Sequence, residues 1–339
     1  MAGEVLYNSR EHQIDELHFA LERAVDSRSW HLILLPTERC NFRCTYCYET
    51  FENGRMSAET VLAVKQLISR RLPELNSLTV DWFGGEPLLE PAIIRDISEF
   101  VLNRKSRYAE YKSNMTTNGY LLDKDLLSEL ISLGISQFQI SIDGWSGLHD
   151  VTRRRVDGAG TFDRILSNLV SAKSTKHDFL MTLRLHLMPS NVKSLPELLD
   201  RIEDEFGKDD RFRVHVKSIG RYGGANDKNI ETYWKTEQVA AIRDLRSRVS
   251  SKNGVGKYSV GGTHICYASK PNSLVIRSNG KLAKCTVAMN SDKNNVGTLL
   301  PNGKLQFKKE VLDRWFEGFR TLEAVDLSCP WYRIGREKT

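Results

Sequence analysis

"HLILLPTERCNFRCTYCYE", residues 31–49, runs from a short apolar stretch straight into three of the chain's six cysteines. Cys40, Cys44 and Cys47 follow a C-x3-C-x2-C spacing. So dense a cluster is a disulfide knot, a zinc site, a redox pair or a cofactor mount. Three thiolates suit a soft metal. Structural zinc takes four protein ligands, and the closest histidine, His31, stands at the start of the preceding strand. A [4Fe–4S] cube held by three cysteines leaves one iron open to a ligand. The spacing alone leaves iron–sulfur and zinc evenly open.

Working outward, strand and helix patterns alternate with some regularity. Apolar or alternating runs at 31–36, 78–83, 112–118, 136–142, 179–188 and 211–219 predict six strands. Helical periodicity follows at 57–71, 91–105, the stretch ending at Gly134, 161–173 and 194–206, with Ser57 as the N-cap of the first. Short loops between such units predict a parallel sheet clad in helices. Ligands in these folds gather at the C-terminal strand ends. The cysteines follow strand one, "GGEP" (84–87) strand two, "TTNG" (116–119) strand three and "SIDG" (141–144) strand four. Periodicity alone therefore predicts one site at one rim, assembled from four loops. Taken singly, Asp143-Gly144 is an ordinary turn signal, and Thr117 and Asn118 suit a strand end. His149 reads as structural. Arg184, His186 and Met188 share one strand face, as do Arg213, His215 and Lys217 on the next.

Residues 220–235 carry three glycines and predict a way out of the sheet, with a helix over 236–250. Beyond it, Asn279-Gly280 and Asn302-Gly303 each sit between strand-like runs and predict hairpins. A helix is expected near 308–319. The expected divisions are an N-terminal extension (1–28), a partial (β/α)6 barrel resembling a TIM barrel (29–219), a connection with a helix (220–257) and a small hairpin-rich domain (258–339).

The chain has 339 residues, 40% apolar and 27% charged, which reads as soluble and globular. The N-terminal residues are acidic and mixed, unlike a secretory signal, so the expected compartment is the cytoplasm, where clustered thiols point to metal binding or catalysis. The net charge of +6 is spread along the chain, and Arg153–Arg155 is its longest basic run. That pattern reads as solvated surface and calls for neither nucleic acid nor a membrane.

The cysteine motif with Tyr46 before its last member, followed by GGEP, TTNG, SIDG and "HDVTRRR" (149–155), resembles the radical S-adenosylmethionine superfamily. The resemblance covers most of the chain after residue 30. It implies that Cys40, Cys44 and Cys47 hold a [4Fe–4S] cluster whose fourth iron chelates S-adenosylmethionine. It also implies cofactor contacts from Tyr46, Gly84, Gly85, Glu86, Asn118, Ser141 and Arg153. The cofactor then supplies a 5′-deoxyadenosyl radical that takes a hydrogen atom from substrate.

Cys266-x13-Gly280-x4-Cys285 resembles the opening of the auxiliary-cluster domain called SPASM, or Twitch in its short form. Placing Cys329 in the remaining SPASM pattern puts Asp326, Gly335 and Thr339 where cysteines belong. The resemblance therefore implies a truncated domain with one auxiliary [4Fe–4S] cluster on Cys266, Cys285 and Cys329. With all six thiols as ligands, none is left to return a hydrogen atom, which favours net oxidation. The expected function is a maturase installing an oxidative crosslink in a ribosomally made precursor peptide, fed by a flavodoxin- or ferredoxin-type electron donor. The 28 residues ahead of the barrel are short for a peptide-binding domain. A dehydrogenase or cyclase of a small molecule, such as an aminocyclitol or nucleotide, is the alternative. A dehydrogenase resembling the sulfatase maturases is a weaker one. A zinc-binding adaptor is the reading outside enzymology.

Overall fold

The computed structural model describes residues 21–106, 109–224, 226–233, 235–248 and 265–336. Residues 1–20 of the expected extension, 249–264 and Thr339 lie outside the described residues.

In chain order the strands are β1 (Ser29–Leu34), β2 (Phe42–Cys44), β3 (Ser77–Trp82), β4 (Glu110–Thr117), β5 (Ile135–Ile142), β6 (Arg153–Arg155), β7 (Leu180–Leu187) and β8 (Phe212–Ser218). Four short strands follow: β9 (Ser273–Ile276), β10 (Lys281–Ala283), β11 (Gly297–Leu299) and β12 (Leu305–Phe307). Helices α1 (Ala58–Arg71), α2 (Pro91–Leu102), α3 (Lys124–Ser132), α4 (Gly147–Thr152), α5 (Phe162–Lys173), α6 (Leu195–Phe206) and α7 (Lys235–Arg248) are interleaved. Strands β1, β3, β4, β5, β7 and β8 pair parallel in that order, forming the expected six-unit α/β sheet.

The residues explain the layers. In α1, Val61, Val64, Leu67 and Ile68 fall on one helical face and are buried, and Ser57 Oγ accepts from Thr60 N at 3.1 Å to cap the first turn. In β5, Phe138, Ile140 and Ile142 are buried in the core, while Gln139 and Ser141 face a cavity. The same alternation buries Met181, Leu183 and Leu185 of β7 and turns Arg184 and His186 to that cavity. A polar inner wall thus follows from period-two patterning.

The C-terminal third joins this sheet. Strand β9 pairs parallel with β1, with His31 opposite Ser273 and Leu34 opposite Ile276, and β10, β11 and β12 extend it antiparallel to ten strands. Both predicted hairpin turns carry a left-handed glycine, Gly280 at φ 78° and Gly303 at φ 72°. The single helix expected near 308–319 is instead two short ones, Lys309–Trp315 and Glu317–Thr321, separated at Phe316. No helix among the described residues is long and apolar enough to cross a membrane.

Candidate functional site

The loop after β1 is held by its own backbone and by three neighbours. Strand β2 pairs antiparallel with β6, setting Cys44 opposite Arg153. Thr45 N donates to Thr152 O at 2.9 Å, and Cys47 N to Cys44 O at 3.1 Å. Phe42 N donates to Cys40 Sγ at 3.3 Å. Glycines let two other segments lie against this loop backbone to backbone. A Cβ on Gly84 would stand 2.2 Å from Thr37 O, one on Gly85 2.3 Å from Arg39 O, and one on Gly224 2.1 Å from Cys47 O. Gly84 also takes φ 127°, which side chains rarely adopt.

Cys40, Cys44 and Cys47 line one cavity together with Tyr46, Gly84, Gly85, Asn118, Ser141 and Arg153. Of the seven side chains and glycines expected to contact the cofactor, Glu86 is the one that does not line this cavity. It is fully buried, with Oε1 accepting from Leu88 N at 2.9 Å and Thr117 Oγ1 at 2.7 Å, and Oε2 from Asn118 N at 2.7 Å. Its carboxylate ties the third loop to the second. Asn118 Nδ2 in turn donates to Asn41 Oδ1 at 2.8 Å, inside the cysteine loop.

Tyr46 is anchored through its hydroxyl. It donates to Asp143 Oδ2 at 2.7 Å and accepts from Arg153 Nη1 at 2.7 Å. Asp143 also takes the Thr152 hydroxyl at 2.7 Å and lies 3.0 Å from His186 Nδ1. Burial works to raise the Asp143 carboxyl, but the His186 ring and the Arg153 guanidinium outweigh it and hold it below the usual carboxylate range. Sequence reasoning passed over Asp143 as a turn residue. The available signal was its place at a strand's C-terminal end, directly after the alternating buried pair Ile140 and Ile142. Glu49 was missed too; burial, then the charge of Glu38, pushes its carboxyl up to about 8. His149 is fully buried, and burial, then the Arg153 charge, lowers its ring to about 4, so it is a neutral core group near Asp143.

Burial, then the Cys44 charge, pushes the Cys47 thiol up to about 12; without a metal it is a neutral thiol. The donor set suits a cube. No three His, Cys, Asp or Glu side chains among the described residues converge on a single-ion site. A [4Fe–4S] cube takes cysteine thiolates, one to each iron the protein holds, and this loop supplies three to one cavity. The cavity offers polar anchors as well. Eight buried side-chain polar atoms lack a partner among the described residues, and four of them, Glu49 Oε1, Arg153 Nε, Arg184 Nε and Ser218 Oγ, belong to residues lining this cavity. That concentration marks a place where a polar ligand completes the bonding.

The second cysteine set comes from three separate segments. Cys266 N donates to Leu327 O at 2.9 Å, which ties it to the turn bearing Cys329. Cys285 N donates to Asn294 Oδ1 at 3.0 Å. Burial raises the Cys285 thiol to about 11, and Cys266 and Cys329 add to the shift, so the three lie within electrostatic reach of one another. Lys284 is fully buried, with Nζ on Lys270 O at 2.6 Å and on Ser273 O, and burial lowers it to about 7. Tyr222, on the cavity wall, feels the charges of Cys329 and Cys285.

The Radical SAM superfamily model matches residues 34–202. The chain is 36% identical over 298 residues to a probable GTP 3′,8-cyclase of Saccharolobus solfataricus, covering 83% of this chain and 90% of that one. It is 30% identical over 189 residues to the PqqA peptide cyclase of Gluconobacter oxydans, covering 55% of this chain and 48% of that one. It spans between 40% and 63% of the length of the first curated relatives it matches. Among solved structures, native anSMEcpe with bound AdoMet and Cp18Cys peptide is similar in fold, with TM-score 0.66, 17% identity, 90% of this chain and 88% of that chain covered. The cysteine loop at one rim of a parallel six-strand sheet, together with these matches, shows that the chain belongs to the radical SAM superfamily.

Proposed function

We propose that this protein is a radical S-adenosylmethionine oxidoreductase that installs an oxidative crosslink in a ribosomally made peptide. When bound at Cys40, Cys44 and Cys47, the [4Fe–4S] cluster with S-adenosylmethionine supplies a 5′-deoxyadenosyl radical able to take a hydrogen atom from an unreactive carbon. The chain's own residues bind and orient. Gly84 and Gly85 open a backbone-lined approach to the cluster loop, and Asn118 and Ser141 offer hydrogen bonds. Arg153 presents a buried guanidinium suited to the cofactor carboxylate. Glu86 sets the loops that carry them. Electrons for the first cluster are expected from a flavodoxin- or ferredoxin-type protein.

The observation that carries the oxidative reading is that the first thiol triad lines the cavity, while Tyr222 on the same cavity wall lies within electrostatic reach of Cys329 and Cys285 of the second. Cys266, Cys285 and Cys329 would hold a second cluster, which would supply an acceptor for the electron the substrate loses as it also gives up a proton. The peptide reading is supported by the likeness to a peptide cyclase and by a fold shared with a peptide-bound structure. A second reading, cyclisation of a nucleotide, is favoured by the identity to the probable GTP cyclase over most of its length.

Co-expression with a short peptide encoded nearby is expected to yield a peptide lighter by two hydrogens. An unchanged peptide mass together with turnover of GTP would sink the peptide reading. The triple variant C266A/C285A/C329A is expected to lower iron from about eight to about four per chain after anaerobic reconstitution, with 5′-deoxyadenosine formation retained. Unchanged iron in that variant would show the second triad to be bare thiols.

A further inference from the structure

Resting on the reading of this cavity as a cofactor and substrate site, we propose that Arg184 is a second anion anchor, which binds a carboxylate or phosphate oxygen of the substrate. The cavity contains two guanidinium groups in different surroundings. Arg153 faces the cysteine loop: it sits opposite Cys44, donates to Tyr46, and its charge is felt at Cys44 and Cys47. It is the one placed for the cofactor.

Arg184 stands elsewhere on the wall. It rises from β7 among Tyr48, His186, Ser218 and Tyr222, all of which line the same cavity. Its Nε is buried without an acceptor, and no ion pair or hydrogen bond to its side chain occurs among the described residues. Its charge is felt at Tyr48, Tyr222 and Lys217, two phenols and another cation. Lys217, the next residue on the same face of β8 after Arg184's pairing partner His215, also feels Cys329 and Cys266 and likewise has no carboxylate within ion-pairing distance among the described residues. Ser218 adds a buried hydroxyl with no partner. A half-buried guanidinium left without an anion is costly, and nothing in the fold requires one there, since a smaller polar residue would serve a lumen wall equally well. The group that completes it comes from outside, and its fork geometry selects a planar or tetrahedral oxyanion. It lines the same cavity as the cysteine loop, and Tyr222 and Lys217 lie within electrostatic reach both of it and of Cys329, so the bound oxyanion would sit in the reaction cavity. The substrate segment thus carries an acidic side chain, a terminal carboxylate or a phosphate.

The test pairs ligands that differ only in the anion. N-acetyl-glutamyl methylamide is compared with N-acetyl-glutaminyl methylamide, and GTP with guanosine. Affinities are measured calorimetrically on the full chain, reconstituted and saturated with S-adenosylmethionine, for wild type, R184M and R184K. Wild type is expected to prefer the anionic member of one pair by about 10- to 100-fold. R184M loses that preference, R184K keeps part of it, and all three unfold at similar temperatures. A preference confined to the amino-acid pair identifies a carboxylate and agrees with a peptide substrate. A preference confined to the guanosine pair upholds the anchor while overturning the peptide reading. No preference in either pair, or a preference that survives in R184M, overturns the proposal.

Discussion

Replacing Cys44 with alanine is expected to abolish reductive cleavage of S-adenosylmethionine and to remove about four irons per chain. Cys44 closes β2 and pairs with Arg153 across the ribbon, which fixes where its backbone stands. No spare thiol is within the loop to replace it, because the other three cysteines sit on the C-terminal segments. The loop keeps its backbone ties, Thr45 N to Thr152 O among them, so the variant is expected to fold. Iron and sulfide analysis after anaerobic reconstitution, with 5′-deoxyadenosine measured in the presence of dithionite, checks this. A C44A protein that still makes 5′-deoxyadenosine at wild-type rate would overturn the assignment of the first triad.

Arg153→Met is expected to produce the second large effect, on stability and on cofactor binding together. Arg153 is 6% exposed, and its guanidinium is bonded to the Tyr46 hydroxyl and lies 5.7 Å from the Phe42 ring centroid. Its charge helps hold buried Asp143 ionised. Removing it leaves that carboxylate with less compensation in a dry setting, at a cost of about 3 kcal/mol or more. Loss of a charged hydrogen bond to the cofactor carboxylate lowers cofactor affinity by about 10- to 100-fold. Urea unfolding and equilibrium dialysis with S-adenosylmethionine read the two effects separately. R153K retains charge without the planar fork, so it should recover stability better than affinity. Equal affinity in wild type and R153M would remove Arg153 from the cofactor site.

The six parallel strands were legible because each is an alternating or continuous apolar run followed by a helical period, and local patterning is what builds a β-α unit. Four rim loops were legible for the same reason, since the strand ends place them. The β2–β6 ribbon was not. Each strand has three residues, too few for a period, and three successive arginines look like solvated surface. In the fold Arg153 is buried, Arg154 exposed and Arg155 half-buried, a strand alternation hidden by identical side chains. Asp143 escaped notice because its partners, Tyr46, Thr152 and His186, come from three other segments. Glu86 was legible as important, while its part as a tie between loops needed the backbone donors of Leu88 and Asn118 to be in view. The hairpins announced themselves through Asn-Gly pairs, yet nothing local could say that β9 would lie against β1.

That last pairing has a consequence for how the protein is made. His31 and Ser273 meet across 242 residues of chain. During synthesis β1 emerges early, and its outer edge has to wait for β9 before its hydrogen bonds close. An unpaired edge is a site of aggregation, and long-range parallel pairing is slow. The loop with the first three thiols hangs from that strand. Glu38, in the same loop, is tied to Arg277 just past β9, with Nε 3.1 Å from Oε1. Completion of the loop therefore waits until β9 and Arg277 have left the ribosome, which places it late in folding.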